Sequence, residues 1–148
     1  MEVRLIQAVR RRAQGACEYC RMSQAFYPTV PFQVDHIISR QHGGRSESSN
    51  LALACLHCNS HKGPNIGGID PRSQKFTALF NPRRHKWGRH FGWDGALLVG
   101  RTPIGRTTVI VLDMNHPDLV AVRQALIEEG RFQTSGSSSK FRPSRRLF

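Results

Sequence analysis

Long apolar segments are missing from this sequence. The longest, around Thr108-Val109-Ile110-Val111-Leu112, falls far short of the roughly 20 apolar residues a membrane-crossing helix needs, so no membrane span is expected. Also missing is a secretory leader. Met1-Glu2-Val3-Arg4-Leu5-Ile6 leads into Arg10-Arg11-Arg12 without an apolar stretch or a small-residue cleavage site, and a cytoplasmic protein is the expectation. Internal repeats are absent. Acidic residues are scarce: 10 Asp and Glu stand against 22 Lys and Arg, a formal charge of +12. The imbalance is uneven, because residues 1–93 carry 14 basic and 5 acidic groups while residues 94–148 carry 8 and 5. A surplus clustered in this way favours a polyanionic partner, since each neutralised phosphate releases condensed counterions.

Cysteine is sparing but patterned. The only four form two Cys-x-x-Cys pairs, Cys17/Cys20 and Cys55/Cys58. A two-residue spacer lets both sulfurs of a pair converge on one ion, so the set reads as a tetrahedral Zn²⁺ site. Without an export signal, reduced thiols are the default and disulfides the lesser alternative. The 34 residues between the pairs exceed the usual ribbon spacing, and they enclose a second polar cluster, Asp35-His36, with Asn50 and Asn59 close by.

Residues 2–13 place Val3, Ile6 and Val9 at helical spacing before Gly15. Phe32-Gln33-Val34-Asp35-His36-Ile37-Ile38 reads as a strand, Gln41 to Ser49 as a polar loop, and Leu51-Ala52-Leu53-Ala54 as a second strand. A short helix over Leu56 to Lys62 is stopped by Gly63-Pro64. Further on, Gly67 to Pro71 reads as a turn. Ala96 to Val99 and Thr107 to Leu112 are expected to form a hairpin across Thr102-Pro103-Ile104-Gly105, followed by a helix from about Pro117 to Glu129. Trp87, Phe91 and Trp93 are expected to pack beneath that hairpin. Residues 134–148, Ser-rich and basic with no acidic group, are expected to be disordered.

Phosphodiester hydrolysis needs an activated water, a charge that stabilises the crowded phosphate, and a group near the leaving oxygen. A His with a divalent ion can supply these. Asp35 offers a hard oxygen to Mg²⁺ or Mn²⁺ and Asn59 a neutral carbonyl oxygen, which leaves most of the coordination sphere to water and phosphate. Neighbours on a strand face opposite ways, so Asp35 and His36 can serve one centre only at a distorted strand or at its edge.

Val34-Asp35-His36-Ile37-Ile38, Gly43-Gly44, Asn50-Leu51 and Cys55-x-x-Cys58-Asn59-x-x-Lys62-Gly63 together resemble the HNH endonuclease family. The resemblance spans residues 17–63 and implies an α+β fold built on a ββα-metal core. In the order of that motif, His36 would be the general base and Asn50 the residue that ties down the loop. Asn59 would be the third position, a metal ligand, and Asp35 the ligand preceding the base. The cysteines would be the structural zinc site of many members. His61, two residues after Asn59, stands as the alternative ligand; the two lie about 200° apart on a helix. His42, His57, His85, His90 and His116 are expected as surface or capping residues. Arg10 to Arg12, Arg40, Arg45, Arg83, Arg84 and Arg89 are expected to form a basic face, some of it contacting phosphates.

The expectation is thus a core at 1–66, a C-terminal extension of β-hairpin plus helix at 67–133, and a tail at 134–148. Its function would be metal-dependent hydrolysis of DNA. The alternatives are an RNA-cutting enzyme of the same chemistry and a zinc module that binds nucleic acid or protein without catalysis.

Overall fold

The protein is represented by a computed structural model that describes residues 1–132 and Thr134; the expected disordered tail otherwise lies outside the described residues. Helix α1 (Val3–Ala13) carries Arg10, Arg11 and Arg12 in its last turn, where cations complement the carbonyl end of a helix. Its inward stripe is Leu5, Val9 and Ala13 rather than Val3, Ile6 and Val9, and Val3 is exposed. Spacing by four sets that face.

After the first cysteine pair, strand β1 (Gln33–His36) pairs antiparallel with β2 (Leu51–Ala54), placing Asp35 opposite Ala52 and His36 opposite Leu51. All four β2 residues are buried. Each leucine so placed favours folding by about 1.5–3 kcal/mol relative to exposure. Helix α2 (Leu56–Lys62) follows at once, with Cys55 as its N-cap and Gly63 as its C-cap. Strand, strand and helix are the expected core, which α1 covers by packing on β1 and β2.

The remaining elements are β3 (Gly67–Ile69), β4 (Phe76–Ala78), α3 (Trp87–His90), β5 (Phe91–Asp94), β6 (Leu97–Gly100), α4 (Pro103–Val111) and α5 (Pro117–Glu128). They complete three two-stranded antiparallel sheets, β1–β2, β3–β4 and β5–β6, in an α+β fold. The segment expected to turn at 67–71 is thus partly strand.

The expected hairpin partner is corrected. Leu97 to Val99 is extended, but it pairs back with β5 across the Gly95-Ala96 turn, and Thr107 to Leu112 belongs largely to α4. The reason is a helix start read as a turn: the Thr102 hydroxyl accepts from Gly105 N at 3.0 Å and Pro103 occupies the first turn. Gly105 permits the close crossing, because a Cβ there would lie 1.9 Å from the His90 carbonyl oxygen. Tertiary packing of α4 against β6, β3 and β4 then overrides the strand preference of its β-branched run.

One cluster of buried side chains joins the two halves, running from Val9, Tyr19 and Phe32 through Leu51, Leu53 and Phe80 to Phe91, Leu112 and Leu126. Trp87 packs tilted against Phe91 and Trp93, with centroids 5.1 and 5.9 Å away, but the last two lie in β5 itself, so these aromatics are part of the actual hairpin rather than beneath the expected one. Among the described residues no helix is long and apolar enough to cross a membrane.

Candidate active site and cysteine cluster

The cysteines converge. Cys17, Cys20, Cys55 and Cys58 are all buried and unpaired as disulfides, with their sulfurs within 4.8 Å of one another. Cys20 Sγ and Cys55 Sγ lie 3.8 Å apart. A tetrahedron with Zn–S of about 2.3 Å has edges of about 3.8 Å, so the donor set fits a metal such as zinc. Backbone amides reinforce it: Cys20 N donates to Cys17 Sγ at 3.5 Å and Cys58 N to Cys55 Sγ at 3.4 Å. Hydrogen bonds from Cys17, Cys20 and Cys58 hold the Cys55 thiol low, while the Cys20 and Cys58 thiols are pushed up, first by contact with Cys17. Four thiols in one buried space cannot all ionise without a cation. Arg123 of α5, also buried, answers part of that charge: burial lowers its pKa, and Cys20 and Cys58 act to raise it. Its Nε donates to Ala96 O at 2.7 Å and its Nη2 to Asn115 Oδ1 at 2.9 Å.

The first cysteine turn also reaches the polar cluster. Between Cys17 and Cys20, Glu18 accepts from Leu53 N at 2.8 Å and pairs with Arg83, while Tyr19 Oη donates to Asp35 Oδ2 at 2.8 Å. Asp35 is buried against a second donor, Lys62, whose Nζ lies 3.2 Å from Oδ2 and donates to the His36 carbonyl at 3.0 Å. Burial raises the Asp35 pKa, and Lys62 and Tyr19 oppose that rise. The Tyr19 hydroxyl is pushed well up, chiefly by burial. These contacts keep a carboxylate in a largely apolar setting.

His36, half-buried, has Nε2 at 2.8 Å from Ser46 Oγ. Asn50 holds the intervening loop: its Oδ1 accepts from Ile38 N at 2.8 Å, and its Nδ2 donates to Ile38 O at 2.9 Å and Arg45 O at 3.0 Å. Gly44 lets the strands of that loop meet, because a Cβ there would sit 1.7 Å from Ile38 O and 2.8 Å from Asn50 Nδ2. Asn59 Nδ2 donates to Gln33 Oε1, which leaves Asn59 Oδ1 as an acceptor for a cation.

Asp35, His36 and Asn59 line one open cleft of about 290 Å³ with Ser39, Arg40, Gln41 and the backbone around Gly63. Ser39 Oγ is buried and has no hydrogen-bond partner among the described residues. An orphaned hydroxyl in a cleft that Asp35 and Asn59 also line suits a hydrated hard cation or phosphate. His61 is elsewhere: its ring stacks on His57 with centroids 4.0 Å apart, and Nε2 lies 3.9 Å from Asp113 Oδ2. The cleft therefore gathers Asp35, His36 and Asn59, with Asn50 behind the loop, and leaves out His61.

Tyr19, Gln33, Ser39 and Ser46 carry no motif signal, and Lys62 has one only through its place before Gly63. Of the expected basic face, Arg10 donates to Phe32 O at 2.7 Å, Arg12 to Leu51 O at 2.6 Å, and Arg83 pairs with Glu18. These three brace the fold. Arg40 and Arg45 are exposed near the cleft and its loop.

A two-stranded hairpin and a short helix thus stand around a polar cleft, beside the four clustered cysteines. Residues 17–65 match the family model described as HNH endonuclease, less than half of the chain. The match to that stretch suggests a function of the nuclease type. No curated protein and no solved structure matches the chain.

Proposed function

We propose that this protein is a metal-dependent endonuclease that hydrolyses phosphodiester bonds in DNA, with His36 as general base. The observation that carries the reading is the shared cleft of Asp35, His36 and Asn59. In the tautomer whose Nε2–H donates to Ser46 Oγ, Nδ1 is the His36 nitrogen that accepts a proton. The attacking water gives that proton to His36 as its oxygen bonds to phosphorus, and the bond to the leaving oxygen breaks. Asp35 and Asn59 would hold Mg²⁺ or Mn²⁺, which when bound supplies charge to the phosphoryl and leaving oxygens. Arg40 and Arg45 position the backbone phosphates without reading bases. Asn50 keeps the loop, and through Ser46 the base, in place. The four cysteines hold Zn²⁺ as a structural staple.

The test is cleavage of supercoiled, linear and single-stranded DNA and of RNA, each with and without Mg²⁺ or Mn²⁺. Wild type is expected to cut DNA only with metal. His36→Ala is expected to bind DNA normally and lose about 10²–10⁴ in rate. Faster cutting of RNA would reassign the substrate, and full activity in His36→Ala would dismiss this residue as the base. Salt-sensitive binding with no cleavage under any metal would leave the non-catalytic module.

A further inference from the structure

We infer that His57, His61 and Asp113 form a second metal site, for a divalent transition ion of the Zn²⁺ or Ni²⁺ class, distinct from the cysteine cluster and the nuclease cleft. One ligand atom from each lies within 4.8 Å of the others. His57 and His61 are four residues apart on α2, so helical geometry alone places them on one face. Their rings are stacked, 4.0 Å between centroids and 27° between planes. Both direct Nε2 at one residue: that of His57 lies 2.8 Å from the Asp113 carbonyl oxygen, and that of His61 lies 3.9 Å from the Asp113 carboxylate.

The outer contact of His61 has the form expected of a metal-binding imidazole. His61 Nδ1 donates to the His57 carbonyl at 2.9 Å, which fixes the tautomer with its lone pair on Nε2. Asp113 stands in the turn between α4 and α5 with φ 48°, a left-handed conformation in which non-glycine residues are uncommon. Asp is among the residues that adopt this conformation most readily, and here it presents both carbonyl and carboxylate to the His pair.

Two imidazoles and one carboxylate are a donor set for borderline ions, whereas the Asp35 and Asn59 oxygens of the cleft suit hard ones. An ion entering here replaces the His57 N–H···O contact, with the imidazole proton moving to Nδ1. It would clamp α2, whose opposite face carries Asn59, to the turn before α5. The chain would thereby bind three metals of different character.

The experiment is calorimetric titration of the zinc-loaded full-length chain with Ni²⁺. One equivalent beyond the cysteine-bound zinc is expected. The His61 and Asp113 side chains are 41% and 46% exposed, so His61→Ala and Asp113→Asn fold, which circular dichroism verifies. Each is expected to weaken that equivalent by more than about 100-fold, above the roughly 10–100-fold loss from removing an outer partner. His36→Ala is expected to keep it. No added equivalent in wild type, or one retained in both variants, overturns the site.

Discussion

Lys62 Nζ lies 3.2 Å from Asp35 Oδ2, and both side chains are buried. The pair joins the last turn of α2 to the third residue of β1, so one buried ion pair ties the helix to the strand that carries His36. A buried cation bonded to a carbonyl and a carboxylate has little freedom to serve as a phosphate contact. Lys62 thus acts through Asp35 rather than on a substrate.

Replacing Lys62 with Met leaves the Asp35 carboxylate without its cation in a low-dielectric setting. A loss of about 3–5 kcal/mol is expected, the usual penalty for breaking a buried pair. Urea unfolding at neutral pH measures it. An unchanged midpoint would show that Tyr19 alone satisfies the carboxylate.

Ser46→Ala removes the contact on His36 Nε2 while leaving the ring in place. The expected outcome is a fall in kcat smaller than that of His36→Ala, with DNA affinity unaltered. Ser46→Thr keeps a hydroxyl and should recover part of the rate. Equal rates in wild type and Ser46→Ala would remove the orienting role.

Arg123→Leu keeps the volume but discards the cation that faces Cys20 and Cys58. Zinc affinity is expected to drop by about 10–100-fold although Arg123 binds no metal itself. Competition with a chromogenic chelator reads this directly. Stripping zinc from the wild type should unfold the β1–β2 core, because binding energy at such sites is folding energy.

Asp70 accepts from Arg106 through both carboxylate oxygens, at 2.9 Å each, and from Ser73. Hydrogen bonding to Arg106 holds its pKa below the ordinary 3.8. The unfolded chain therefore binds this proton more readily than the folded one. The stabilisation is present above pH 3.8 and is lost as pH falls from there toward the folded value. Asp70→Asn is expected to lower stability at neutral pH and to flatten the acid limb of a stability–pH curve. A limb of unchanged slope would assign it to other carboxylates.

The hydrophobic pattern and the punctuating residues determined the core: two short strands, the helix closed by Gly63, and the paired cysteines are local signals, set by spacing and by turn chemistry. Asn50 and Gly44 were legible for the same reason, since a side chain that ties a loop and a glycine that permits close approach leave marks in a motif. The hairpin partner was not legible. Thr107 to Leu112 has strand-forming side chains, and only its packing against β3, β4 and β6, begun by the Thr102 cap, makes it helix. The same holds around the cleft. Tyr19, Gln33, and the loop residues Ser39 and Ser46 come from three separate segments, and no sequence spacing links a cysteine-loop tyrosine to a strand carboxylate. Which of Asn59 and His61 lies at the cleft also waited on the fold, because opposite helix faces are equivalent until something packs on one. Asp113, distant in sequence, meets His57 and His61 on that far side, while β1 brings Gln33 to Asn59.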